Sequence, residues 1–294
     1  MNNVTIDTAL AINLIATQFP EWQQLPIKPV ATSGWDHRTF HLGEHMLIRL
    51  PSKAAYAPQV IKEHRWLPYL TPCLPVSIPS PIAMGKPMQA YPWHWSIYRW
   101  LPGETLLSTP STDKASFALD IAHFLKSLHV INTSEGPAPN SDNFHRGGSL
   151  EIYNTQMLEA LNILISSIDT AKAFTTWQKA LTSSWQHPPV WIHGDLAAGN
   201  ILMQNGRLSS IIDWGQVAVG DPACDLALAW TFFDCKTRLL FRNTLNLDSD
   251  TWMRGRAWSL WKACIIAAGI CGATEKETNA CRSVIKEILD DSNA

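Results

Sequence analysis

Residues 190–226 read VWIHGDLAAGNILMQNGRLSSIIDWGQVAVGDPACDL, and no other stretch restricts the fold as much. The apolar run Val190-Trp191-Ile192 leads into His193-Gly194-Asp195, and Asn200 follows on the same segment. Ile201-Leu202-Met203 then precedes Asn205-Gly206, a dipeptide whose tolerance of positive φ makes a tight hairpin turn. The returning run, Leu208 to Ile212, ends at Asp213. A hairpin closed on Asn205-Gly206 sets Asn200 opposite Ile211 and leaves Asp213 beside Asn200 at the open end of the ribbon. Two oxygen donors, Asn200 and Asp213, then converge where a hard cation such as Mg²⁺ can be held together with phosphates. Asp195, on the loop before the hairpin, is placed to accept a proton from an attacking hydroxyl. Any one of these residues alone fits an ordinary hairpin flanked by a buried His and an Asp cap. The ordered set does not.

An Asp, an Asn after a short loop and a further Asp downstream is the order in which kinases carry their base and metal ligands. HGDLAAGN, followed by IIDW and then GDPACDLA, resembles the signature of the aminoglycoside phosphotransferase family, the small-molecule branch of the protein-kinase-like fold. The resemblance implies a two-lobed α/β fold. A small β-rich nucleotide-binding lobe is expected over residues 1–100, and a larger helical catalytic and acceptor-binding lobe over 101–294. It implies that Asp195 is the catalytic base, that Asn200 and Asp213 hold Mg²⁺, and that His193 and Asp225 support the catalytic loop. ATP or GTP is the implied co-substrate, and a small-molecule hydroxyl the acceptor.

Other positions take their expected roles from the same resemblance. Arg49, in MLIRL, occupies the place of the kinase lysine that contacts the α- and β-phosphates, with Glu63 as its ion-pair partner. An arginine keeps the charge and can grip phosphate through two N–H groups, but it is longer and planar. Ser33-Gly34 stands where protein kinases have a glycine-rich loop over the nucleotide. YRWLPGE resembles the hinge between lobes, making Arg99, Trp100 and Leu101 candidates for contact with the base. Asp142, Glu151 and Asp234 are candidates to face a cationic acceptor. The segment from Gly215 to Asp221 is too short to form a platform for a protein substrate, which favours a small acceptor. An aminoglycoside is the first acceptor class implied, with a macrolide, amino alcohol or sugar left open. A non-catalytic nucleotide-binding pseudokinase is the rival that Arg49 and the sparse glycines motivate, and the intact Asp195, Asn200 and Asp213 oppose it. A metal-dependent phosphoester hydrolase would call for more carboxylates.

Composition bounds the partners. A net charge of −2 without a Lys/Arg run gives no reason to invoke nucleic acid. The longest apolar stretch, Ala263 to Ala273, is too short to span a bilayer, and the amino terminus lacks the features of a signal peptide. The six cysteines form no C-x-x-C pair, so free, largely buried thiols in a reducing cytoplasm are expected. Monomer and homodimer both stay open.

Hydrophobic periodicity predicts a helix over residues 5–19 capped by Thr5, and paired strands between Val30 and Leu50. A helix follows over APQVIKEHRWLPYL, then two further strands before Pro102. Ser111-Thr112 signals the cap of a helix over 113–130, and one or two helices occupy 150–186. Asp221-Pro222 opens a helical stretch continuing through 226–235, and helices over Trp252–Ile270 and 276–290 complete the chain.

Overall fold

The computed structural model describes residues 4–31, 34, 36–109 and 113–291. Ser33, Trp35 and the Ser111-Thr112 pair lie outside the described residues. The first helix, α1 (Thr8–Gln18), is capped by Asp7, whose carboxylate accepts the Leu10 N–H at 2.8 Å. Thr5 was the expected cap, but it sits two positions too early to reach the orphan amides of the first turn.

Strands β1 (Ile27–Pro29), β2 (His37–Leu42), β3 (Met46–Pro51), β4 (Pro81–Gly85) and β5 (Trp95–Arg99) form one antiparallel sheet in the order β1-β2-β3-β5-β4. Side chains alternate across it, as the two-residue period requires. Phe40, Leu42, Ile48, Leu50, Trp95 and Ile97 bury one face against Ala11, Leu14 and Ile15 of α1. The opposite face carries Arg49, Ser96 and Tyr98 toward α2 (Ala57–Leu70), which spans the predicted segment. Trp66, Leu67 and Leu70 of α2, with Tyr98 of β5, belong to the larger core of the helical part. One helix therefore ties the sheet to the rest of the molecule.

After the short β6 (Glu104–Thr105) comes α3 (Lys114–His129), capped by Asp113 through the Ala115 and Ser116 amides. Helices α4 (Asn154–Ile163) and α5 (Thr170–Leu181) follow. The motif segment then folds as β7 (Val190–Ile192), β8 (Ile201–Gln204), β9 (Arg207–Ile211) and β10 (Ala218–Gly220). β7 pairs with β10, while β8 pairs with β9 and β6. The predicted helix over 226–235 is broken. Only α6 (Leu228–Thr231) forms, and α7 (Cys235–Leu245), which periodicity had not suggested, starts afresh on the Asp234 cap. Helices α8 (Ser249–Ala267) and α9 (Glu275–Asp290) end the chain, packed on each other.

All six cysteines are free, but only Cys224 and Cys264 are buried, fewer than the apolar surroundings implied. Among the described residues no helix is long and apolar enough to cross a membrane. With its sheet capped by a helical part, the chain has the protein-kinase-like fold.

Candidate active site

The turn between β8 and β9 is the tight one expected, with Asn205 and Gly206 at φ 52° and 75°. The register differs by one residue. A bulge between Leu202 and Met203 sets Ile201 opposite Ile211, and Ile212 donates its N–H to the Asn200 carbonyl at 2.9 Å. Asn200 thus lies opposite Ile212 rather than Ile211, and Asp213 is the next residue along. The extra residue is Ser209, whose carbonyl accepts the Ser77 N–H at 3.2 Å; Ser77 in turn accepts from the Ile211 N–H at 3.0 Å. A remote segment, laid alongside β9, makes the bulge.

β7 delivers His193-Gly194-Asp195, and Asp225 holds them. Its buried carboxylate accepts the His193 N–H at 2.7 Å and the Gly194 N–H at 2.8 Å. Burial pushes the Asp225 carboxyl up, while the hydrogen bonds from the two amides oppose the shift. The His193 ring is fixed from both sides. Its Nδ1 accepts the Asp195 N–H at 3.2 Å, so Nε2 carries the proton and donates to the Ile212 carbonyl at 3.0 Å. That ring therefore spans from the loop bearing Asp195 to the strand end bearing Asp213. Gly194 is at φ +83°, and a Cβ there would fall 2.5 Å from the Gln216 carbonyl oxygen. Only glycine fits both constraints.

Asn200 donates its amide N–H to the Asp195 carbonyl at 2.9 Å and lies 3.4 Å from Asp195 Oδ2. Asp213, in the left-handed region at φ 67°, turns its carboxylate toward the sheet. There Arg49 Nη1 binds Glu63 at 3.1 Å, while Nη2 binds Asp213 Oδ1 at 2.6 Å and lies 3.3 Å from His37 Nδ1. Burial, then the neighbouring Arg49 charge, push the His37 pKa well down, so its ring is neutral and Nδ1 can accept. Glu63 is buried and also takes the Tyr98 hydroxyl proton in a short hydrogen bond. Asp36 lies near this cluster: burial, then Asp213, raise its carboxyl, while the Gln59 amide at 3.3 Å lowers it.

Other expected residues are placed less tightly. Gly34 is exposed, and a side chain there would meet nothing within 4 Å. At the hinge, the Arg99 N–H is taken by Ser80 at 3.0 Å and the Trp100 N–H by His45 at 2.8 Å. Trp100 lies against His41, with ring centroids 4.3 Å apart and the planes tilted by 47°. Asp142 and Glu151 are exposed in short 3₁₀ turns, and Asp234 spends its carboxylate on capping α7 at the Thr237 N–H, 2.9 Å away.

Two residues that the sequence reading passed over lie at the centre. Lys262 of α8 forms a short ion pair with Asp195 Oδ1. Arg146, on the loop before α4, sits 4.4 Å above the Trp258 ring. Burial would raise the Asp195 carboxyl, but Lys262, then Arg146, hold it down to about 2. Asp195 is therefore ionised across the neutral range. A lone lysine in the apolar helix AWSLWKACIIAA was the available signal, because a charge on such a face needs a partner.

Comparison with known proteins agrees with this fold. The chain superposes on the GDP and kanamycin complex of APH(2")-IIia with a TM-score of 0.73 at 18% identity, covering 96% of this chain and 98% of that one. It superposes on a macrolide 2'-phosphotransferase type I with a TM-score of 0.64 at 22% identity, covering 97% and 99%. At these identities the likeness is one of fold. Uncharacterized protein YcbJ of Bacillus subtilis (strain 168) is 42% identical over 60 residues, only 19% of this chain and 20% of YcbJ. The family model for the phosphotransferase enzyme family APH matches residues 27–258, and the chain belongs to that family.

Proposed function

We propose that the protein transfers the γ-phosphoryl group of ATP or GTP to a hydroxyl of a small molecule, with Mg²⁺ bound alongside the nucleotide. The observation that carries this is the meeting of Asp195, Asn200, Asp213 and Arg49 in one cluster, built from both the sheet and the helical part. Asp195, held ionised, accepts the proton of the acceptor hydroxyl. The acceptor oxygen forms its bond to the γ-phosphorus while the bond to the β,γ-bridging oxygen breaks, and the nucleoside diphosphate leaves with that electron pair. Arg49, fixed by Glu63, sits beside the phosphate-facing end of Asp213 and supplies a permanent positive charge there. Catalysis of this kind rests on positioning and charge neutralisation.

The residues fit a magnesium ion that shares its shell with phosphates. The Asn200 amide nitrogen is committed to Asp195, whereas its side-chain oxygen and Asp213 Oδ2 accept no hydrogen bond among the described residues. Two hard oxygens are what a Mg²⁺ arriving with nucleotide requires, and no set of three or more His, Cys, Asp or Glu among the described residues could hold a metal unaided. When bound, the ion neutralises charge on the phosphate oxygens.

A thermal-shift series with ATP and GTP, each with and without Mg²⁺, tests this reading, since a ligand bound only by the folded state raises the melting midpoint. A magnesium-dependent rise is expected in the native protein and in Asp195→Ala, but not in Asp213→Asn. No rise with either nucleotide would refute the proposal, and so would phosphoryl transfer that survives in Asp195→Ala.

A further inference from the structure

The acceptor side of Asp195 is cationic. Lys262 lies against its carboxylate, and the Lys262 ammonium is 6.0 Å from the Trp258 ring. The Arg146 guanidinium lies 4.4 Å over that same ring and 5.4 Å over Trp261. Two cations thus share one indole beside the base, on a floor of buried aromatic side chains.

Among the described residues Arg146 makes no ion pair of its own, and Asp195, whose carboxyl its charge lowers, is already paired with Lys262. The one side-chain hydrogen bond of Arg146 among the described residues runs to the neutral Tyr153 hydroxyl at 3.3 Å, and its Nε is buried with no acceptor. Three other arginines of the interior are matched: Arg49 by Glu63 and Asp213, Arg238 by Asp291 and Glu287, Arg254 by Asp221. A guanidinium presents several donors in a planar fork, and such a fork, stacked but unpaired, suits a carboxylate or phosphate. Asp142 and Glu151 are exposed, and Asp234 is used in a helix cap.

We infer that the acceptor carries an anionic group, a carboxylate or a phosphate, which Arg146 grips while the acceptor's hydroxyl meets Asp195. This rests on the phosphotransferase reading and deepens it. The charge of such an acceptor is complementary to Lys262 and Arg146. A polycation would meet like charge at both.

Isothermal titration of the full chain, with its nucleotide site filled by Mg²⁺ and β,γ-imido-ATP, separates the possibilities. Inorganic sulfate is the anionic probe and kanamycin the polycationic one, at constant ionic strength. Sulfate is expected to bind the native protein and to lose at least about tenfold in affinity in Arg146→Met, the size of one lost charge-assisted contact. Kanamycin is expected to give no heat. Arg146→Gln, which can still reach Tyr153, replaces the methionine variant if that one does not fold. The inference is overturned if sulfate does not bind, if it binds both proteins equally, or if kanamycin binds more tightly than sulfate. The prior titration with Mg²⁺ and β,γ-imido-ATP distinguishes the two failures. Its absence defeats the phosphotransferase reading, whereas its presence with a failed sulfate arm defeats only the anion subsite.

Discussion

Replacing Lys262 by Met probes the contact on which the ionisation of Asp195 depends. Methionine keeps most of the unbranched stem that lies against Trp258 and removes only the charge. Burial by itself raises the Asp195 carboxyl, yet Lys262 and Arg146 bring it from the ordinary 3.8 to about 2. Each pKa unit is worth about 1.4 kcal/mol, so the folded protein favours the ionised form by about 2 kcal/mol, with Lys262 the largest favourable contributor. The sign follows from linkage. A carboxyl whose folded pKa is depressed contributes stability that is complete above its unfolded value of 3.8 and disappears as pH falls through about 2. A double-mutant cycle of Lys262→Met with Asp195→Asn, followed by denaturant unfolding, isolates the pair. The expected coupling is about 2 kcal/mol near neutral pH and about half that near pH 3. A coupling under about 0.5 kcal/mol, or one indifferent to pH, would show that the ion pair is not what holds the carboxylate ionised.

Two further substitutions test the scaffold. Arg49→Lys keeps the charge but cannot span Glu63, Asp213 and His37 together, so nucleotide affinity measured by titration should fall about tenfold. Equal affinity would mean that charge alone suffices. Gly194→Ala forces a Cβ to 2.5 Å from the Gln216 carbonyl at φ +83°, and should cost about 2–4 kcal/mol in denaturant melts. A variant as stable as the native chain would show that the loop shifts freely.

What could be read in the sequence was whatever the chain decides locally. The Asn205-Gly206 turn needs only its own φ values, and the order of Asp195, Asn200 and Asp213 follows from that turn. The one-residue error in register had a non-local cause, because the bulge at Ser209 is pinned by Ser77, which no local pattern around the hairpin could reveal. The broken helix after Leu226 had a different origin. LALAWTFFDC is apolar on every side, so periodicity had no face to detect, and Asp234 restarts the chain by capping Cys235–Leu245. The acceptor side was hidden for a third reason. Acidic residues were sought because the resembled family suggested a cationic acceptor, and the two cations beside Asp195 gave a separate signal. Lys262 is the single charge between Arg256 and Glu275, and Arg146 lies in a glycine-flanked loop with no acidic neighbour in FHRGG. A charge that folding draws toward an apolar face must find a partner or pay for its desolvation. For Lys262 that partner is Asp195. Arg146 acts on that same carboxylate but makes no ion pair of its own among the described residues, and on this argument its partner is the acceptor itself.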